Sequence, residues 1–250
     1  MDNLTLAANQ VDIWRINLAG QSDRIQQFRC LLSPDEVQRA DRFYFDRDRR
    51  RFAVARAAMR EILGRYAGLA AEELCFSYGP KGKPELAGGL EKSGIRFNLS
   101  HSSELALLAV TQGLMVGVDI EWIKPGFATD DIAQRFFSAT EVQTLQSLPA
   151  GQRAEAFFSC WTRKEAYIKA LGEGLSVPLE SFAVAFAPGV PPALLHVRVD
   201  PTEVERWSMH NIEVSEGYKA AVVVEGRNHR LRHMEWPVPL SGSRDLQAKG

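Results

Sequence analysis

Cysteine is scarce in this sequence. Its 250 residues include three, Cys30, Cys75 and Cys160, far apart and outside any C-x-x-C pair. That excludes a disulfide framework and a cysteine-rich zinc site, and points to reduced thiols in a cytoplasmic protein. An excess of either charge is also lacking, with 30 Lys+Arg against 31 Asp+Glu and a formal net charge of −1. Bulk charge therefore offers nothing to nucleic acid or to an anionic membrane. No apolar run approaches the length that spans a bilayer, and the first residues lack the basic-then-apolar pattern of a signal peptide. A G-x-G-x-x-G fingerprint, a Walker loop and a G-x-S-x-G elbow are absent, which excludes the usual nucleotide cradles and the α/β-hydrolase nucleophile. There is no short-period repeat.

What is present is an ordinary globular composition, 45% hydrophobic and 24% charged, long enough for one large domain or two packed halves. Val11 to Leu18 alternates as a strand. Ser33-Pro34-Asp35-Glu36 is a capping box that opens a long helical region, with room for breaks, running toward Tyr66. Glu73 to Tyr78 is expected to be a short strand and Gly79 to Pro84 a loop. Ile95–Leu99 and Leu105–Thr111 form an expected strand pair around a turn at Ser100-His101-Ser102-Ser103. Met115 to Ile123 is another strand, and Ser138-Ala139-Thr140-Glu141 caps a helix toward Leu148. Gln152 to Leu171 is a long helix. Strands are expected at Phe182–Phe186, Leu195–Val199, Ile212–Val214 and Tyr218–Val224. The pattern predicts an α+β fold of two similar halves, 1–112 and 113–236, with a cleft between them and a loose tail at 237–250.

Four stretches carry groups able to do chemistry. Asp119 and Glu121 are two apart on one strand and share a face, where like charges need water, a cation or a basic partner between them. Adding Glu165 would make an all-oxygen site suited to Mg²⁺, although an acidic half-exposed strand face is the simpler reading of the pair alone. Ser100 and His101 are adjacent on an extended chain and point to opposite sides, so they do not make a nucleophile–base pair; His101 suits a phosphate contact better. Arg39, Arg42, Arg47, Arg49, Arg50, Arg51, Arg56 and Arg60 crowd one segment, answered in part by Asp41, Asp46 and Asp48. A solvated ion-pair face is the default there, and a phosphate site near the Gly-Pro loop the alternative. Finally, Trp161, Glu165 and Lys169 stand at i, i+4 and i+8 on one helix stripe. In isolation, Glu165–Lys169 reads as a plain intrahelical pair.

Taken in order, Phe97-Asn98-Leu99-Ser100-His101-Ser102, Gly117-Val118-Asp119-Ile120-Glu121 and Trp161-Thr162-Arg163-Lys164-Glu165 running on to Lys169 resemble the motifs of 4′-phosphopantetheinyl transferases of the larger, Sfp type. Gly82-Lys83-Pro84, Arg135-Phe136-Phe137-Ser138, Gly172-Glu173-Gly174-Leu175 and Gly217-Tyr218-Lys219-Ala220 support the match, which covers Ser33 to Val224. The resemblance implies two similar α+β halves with coenzyme A in the cleft. It implies transfer of phosphopantetheine from coenzyme A to a serine of an apo carrier protein, releasing adenosine 3′,5′-bisphosphate. Asp119, Glu121 and Glu165 match the metal carboxylates, for Mg²⁺ or Mn²⁺. His101 and Lys169 match pyrophosphate contacts, and Glu165, Lys169 and His101 form the expected catalytic set. The loop Lys81-Gly82-Lys83-Pro84 and Ser100 are assigned to coenzyme A, and Arg47 and Arg51 to its 3′-phosphate.

The partner implied is an acyl or peptidyl carrier with an acidic helix, received on a basic and apolar patch near the cleft mouth. No nucleic-acid or membrane partner is expected. A monomer is expected, because the two halves already build the cleft that shorter, trimeric relatives assemble between chains. Two rival activities use the same residues: a Mg²⁺-dependent phosphodiesterase that hydrolyses coenzyme A without a carrier, and a non-catalytic coenzyme A or carrier-binding protein.

Overall fold

Alternation along Leu105–Gln112 sends Leu107 and Ala109 to one side and Ala106, Leu108 and Val110 to the other, and both sides are buried. A strand apolar on both faces belongs inside a layered structure. The computed structural model, which describes residues 3–20, 22–127, 129–172 and 176–236, has that form. The expected tail at 237–250 and residues 173–175 of the Gly172–Leu175 motif lie outside the described residues.

The first half holds β1 (Gln10–Asn17), α1 (Ile25–Cys30), α2 (Pro34–Asp41), α3 (Asp46–Ala67), β2 (Cys75–Tyr78), β3 (Pro84–Ala87), β4 (Ile95–Ser102) and β5 (Leu105–Gln112). The second holds β6 (Val116–Trp122), α4 (Thr129–Phe136), α5 (Ala139–Ser147), α6 (Ala150–Leu171), β7 (Phe182–Ala185), β8 (Ala193–Val197), α7 (Glu203–Arg206), β9 (Trp207–Asn211), β10 (Tyr218–Glu225) and β11 (Arg230–Glu235). Two sheets dominate, ordered β11-β1-β5-β4 and β6-β10-β9.

Side-chain alternation assembles these into four layers. The α3 residues Ala53, Val54, Ala57 and Met59 pack with Trp14, Ile16, Leu108 and Val110 on the outer face of the first sheet. Val11, Ile13, Leu107 and Ala109 on its inner face meet Val116, Val118, Ile120, Val222 and Val224 of the second. The outer face of the second sheet, through Ala221 and Val223, meets Phe157, Ala166, Tyr167 and Ala170 of α6. Each half therefore lays a 22-residue helix on a sheet, mixed in the first half and antiparallel in the second, and the fold is α+β. Truncating a central residue such as Leu107 to Ala would cost about 2–5 kcal/mol.

One strand crosses over. β11 pairs parallel with β1, from Gln10↔Arg230 to Arg15↔Glu235. Arg232 on β11 holds the buried Asp12 carboxylate at 2.8 and 2.5 Å, and Tyr66 donates to the same carboxylate. Residues 230–236, in the second half by sequence, thus sit beside β1 in space.

Several local expectations are corrected. β4 continues through Ser102, so the turn is Ser103-Glu104, with Ser103 at φ 51°. Pro84, expected in the loop, opens β3, while the helical region toward Tyr66 divides at 42–45 into α2 and α3, a break the sequence allowed. The strand expected at Ile212–Val214 is β9 at Trp207–Asn211, and Leu195–Val199 begins earlier, at Ala193. Polar and charged residues interrupt both segments, which obscured the two-residue period. The arginine segment is not one surface either. Arg56 and Arg60 are buried and both hold the buried Glu36.

Candidate active site

The site begins with a glycine. A Cβ on Gly117 would lie 2.1 Å from the Ala166 carbonyl oxygen and 2.3 Å from the Ala170 amide nitrogen. Only glycine lets the α6 backbone pass this close to β6. Asp119 and Glu121 follow at i+2 and i+4, on the strand face that looks toward α6. Between Trp161 and Ala170 every α6 residue is buried except Trp161, Glu165 and Lys169. The stripe seen in the sequence is the open stripe of an otherwise enclosed helix, and its members stand beside the β6 carboxylates.

The Lys169 ammonium lies 2.5 Å from Asp119 Oδ1 and donates to Ser100 Oγ at 3.1 Å; Ser100 Oγ donates to the same Oδ1 at 2.8 Å. Asp119 Oδ2 is buried with no hydrogen-bond partner. Ser102 Oγ donates to Glu121 Oε2 at 2.8 Å and accepts from the Trp122 amide at 3.0 Å. Asn98 Oδ1 accepts from the Val118 amide at 2.8 Å. Asn98, Ser100 and Ser102 alternate along β4, so one strand face forms a polar ladder onto β6 and sets both carboxylates. His101 points to the other side, as the adjacent-residue rule requires.

Electrostatics mark the cluster. Burial, then repulsion from Asp119, pushes the Glu121 carboxyl up to about 7. Burial also raises Glu165, and Asp119 adds to it. For Lys169, burial works against the ammonium, but the Asp119, Glu165 and Glu121 carboxylates outweigh it and the pKa rises. His101 is lowered by the crowding of protein around its ring, then by Lys169 and Arg51. Such opposed shifts in one cleft are a common mark of function.

Arg47, Arg51 and Lys124 line a cleft of about 600 Å³ that reaches Glu121 and is walled by Phe127, Phe158 and Trp161. Arg51 leans on Asp48 and Glu104 at 3.9 and 3.6 Å, distances long enough to release it to a phosphate. Trp161 stacks on Phe157 with centroids 6.0 Å apart at 20°. Lys81 is exposed, Gly82 takes φ 79°, and the Lys83 ammonium donates to the carbonyls of Val116 at 3.1 Å and Lys169 at 2.6 Å. Lys83, its pKa drawn down to about 8 by burial, ties the first half to β6 and α6.

Two basic residues of the Trp161–Glu165 motif are structural. Lys164 is fully buried, 2.8 Å from Glu141, and donates to the carbonyls of Leu179 and Phe182. Arg163 holds the Ala185 carbonyl and Asn211. Reading the sequence for site residues passed over Asn98, Ser102 and Lys124; the alternation of polar side chains in Phe97–Ser102 was the available signal for the first two.

The carboxylates fit a hard divalent cation. Asp119 Oδ2 is an orphaned, buried acceptor, and Asp119, Glu121 and Glu165 offer only oxygen donors, as Mg²⁺ and Mn²⁺ prefer. They act on one another electrostatically, yet among the described residues no three of His, Cys, Asp and Glu converge on a common point.

Comparison with known proteins decides the family. The sequence profile of the 4′-phosphopantetheinyl transferase superfamily matches residues 115–223, and that of the 4′-phosphopantetheinyl transferase N-terminal region matches 19–113. The 4′-phosphopantetheinyl transferase HetI of a Nostoc species is 40% identical over 224 residues, covering 90% of this chain and 91% of its own. This chain belongs to the 4′-phosphopantetheinyl transferase family. The transferase is of the Sfp type: Sfp of Bacillus subtilis is 31% identical over 202 residues, 79% of this chain and 84% of its own. Among solved structures, the Thermotoga maritima holo-[acyl-carrier-protein] synthase overlays with TM-score 0.36 at 22% identity, over 46% of the transferase and 65% of that chain. Among the described residues, no helix of the transferase is long and apolar enough to cross a membrane.

Proposed function

We propose that this transferase takes 4′-phosphopantetheine from coenzyme A and attaches it to a serine of an apo carrier protein, using Mg²⁺ held by Asp119, Glu121 and Glu165. The observation that carries the reading is the orphaned Asp119 Oδ2, set beside two further carboxylates whose pKa values are raised and a lysine ready for phosphate.

In the reaction the serine oxygen forms a bond to the phosphopantetheine phosphorus. The bond from that phosphorus to the bridging pyrophosphate oxygen breaks, and adenosine 3′,5′-bisphosphate leaves with its electron pair. The barrier is charge on the pyrophosphate and the proton on serine. Bound at the carboxylates, the divalent ion supplies charge neutralisation to pyrophosphate oxygens. Lys169 and His101 add hydrogen bonds to the same oxygens, the charged ammonium contributing about 1.5–3 kcal/mol. Glu165 takes the serine proton, a carboxylate on the open stripe of α6 serving as general base. Arg47 and Arg51 hold the 3′-phosphate, where bidentate guanidinium contacts outweigh exposed ion pairs.

At the mouth, Lys124 joins the aromatic wall of Phe127 and Phe158, a basic and apolar surface suited to the acidic helix of a carrier. The exposed free thiols of Cys30 and Cys75 suit the reducing cytoplasm, and with both halves in one chain the working unit is a monomer. The test is the intact mass of an apo carrier incubated with the transferase, coenzyme A and Mg²⁺. A gain of one phosphopantetheine, abolished by EDTA and lowered by about 10²–10⁴-fold in rate in Glu165→Gln, is expected. Coenzyme A cleavage with no carrier modified would replace this reading with a phosphodiesterase.

A further inference from the structure

The Asp119–Ser100–Lys169 cluster is a closed triangle. Each of the three polar atoms touches the other two, at 2.5, 2.8 and 3.1 Å, and all lie at the junction of β4, β6 and α6. The Asp119 side chain is nearly sealed at 3% exposure, whereas that of Lys169 is 28% exposed. The carboxylate is therefore fixed, and the lysine, on its flexible four-carbon stem, has somewhere to go. The oxygen that would serve a metal, Oδ2, belongs to the carboxylate the ammonium already holds through Oδ1. A second cation arriving at Oδ2 would stand beside the first in a mostly dehydrated pocket, where like charges repel far more than in water.

We infer that the Lys169 ammonium is a tethered cation that holds Asp119 until coenzyme A draws it away, so that metal binding at Asp119 is coupled to coenzyme A binding. This rests on the transferase reading, in which a pyrophosphate enters the cleft. That pyrophosphate gives Lys169 an anionic partner in the open, and the carboxylate it leaves becomes free for the divalent ion. Until then the ammonium offsets part of the repulsion among Asp119, Glu121 and Glu165 and keeps the empty cluster stable. Apparent metal affinity falls by the fraction of molecules left open, so a contact closed in about nine molecules of ten would give a coupling of about tenfold.

Mn²⁺ binding, read as loss of the free-ion EPR signal, tests the coupling without turnover. In the absence of coenzyme A, Lys169→Met is expected to bind Mn²⁺ about tenfold or more tightly than the wild type. Lys124→Met, which removes a cleft charge that does not touch Asp119, is expected to change it less than twofold. Adding coenzyme A should close the gap between wild type and Lys169→Met to about twofold, because Lys169 then sits elsewhere. Ser100→Ala keeps the lysine charge while opening the triangle, and should tighten Mn²⁺ by an intermediate factor; it also covers the case in which Lys169→Met does not fold. Equal or weaker binding by the folded variants, equal tightening in Lys124→Met, or a gap that persists with coenzyme A would each overturn the coupling. Carrier modification by the wild type is scored separately. A carrier left unmodified beside the expected Mn²⁺ pattern removes the transferase reading alone, and the converse removes the coupling alone.

Discussion

Gly117 on β6 and Ala166 on α6 meet backbone to backbone, with 2.1 Å between the carbonyl oxygen of Ala166 and the place a Cβ of Gly117 would occupy. The strand that carries Asp119 and Glu121 is thereby pressed against the helix that carries Glu165 and Lys169. Site geometry here is a property of packing before it is one of charge.

Gly117→Ala therefore tests the whole arrangement. The methyl group must push α6 outward, at about 1–3 kcal/mol or more of overpacking. A fall in melting temperature of several degrees is expected, with a loss of transfer rate larger than stability alone explains. Unchanged rate and stability would show that the helix yields without moving the site.

Ser102→Ala removes the hydroxyl that holds Glu121 Oε2 and the Trp122 amide. Groups that orient a ligand commonly contribute about 10–100-fold in metal affinity. The Mg²⁺ concentration for half-maximal rate should rise by that order while circular dichroism stays as in the wild type, and Ser102→Thr should recover part of it. A variant with wild-type Mg²⁺ dependence would leave Ser102 with only a backbone role.

The metal-free protein has a predictable pH response. With its pKa raised to about 7 in the fold against 4.5 for an unperturbed glutamate, Glu121 binds its proton more tightly folded than unfolded. Stability contributed by that proton is present below about 4.5 and is lost as pH rises to about 7. Glu165 acts in the same direction, while His101, lowered in the fold, acts oppositely near its ordinary titration range. The isolating comparison is with Glu121→Gln in EDTA: the difference in melting temperature, variant minus wild type, should grow from pH 4.5 to 7. A difference flat with pH would contradict the assignment.

Lys164→Met separates a structural base from the basic residues of the cleft. The substitution leaves the Glu141 carboxylate buried and unpaired, at about 3–5 kcal/mol, and should lower the melting temperature by on the order of 10 °C or abolish soluble expression. Arg47→Ala, on a side chain 66% exposed, should leave melting unchanged and raise KM for coenzyme A. Thermal melts and steady-state kinetics on the two variants check both halves of the statement.

Much of this was legible in the chain. Capping boxes at Ser33 and Ser138 set helix starts where they are observed, and the Trp161-Glu165-Lys169 spacing set the open stripe of α6. Asp119 and Glu121 followed from the two-residue period of a strand. What escaped depends on contacts distant in sequence. Nothing local in Arg56 and Arg60 reveals that Glu36 holds them, or that Lys83 reaches the carbonyl of Lys169. Nor does the polar run Arg230–Glu235 announce a strand, since its partner is at the far end of the chain.

That last pairing has a consequence during synthesis. The first strand leaves the ribosome long before the segment that completes its edge, 220 residues later. Until then the Asp12 carboxylate, sealed in the finished protein, lacks its arginine, and the Trp236 indole has yet to reach Glu61. A nascent chain stopped before Arg230 should thus stay open to proteases along β1 however well its helices have formed.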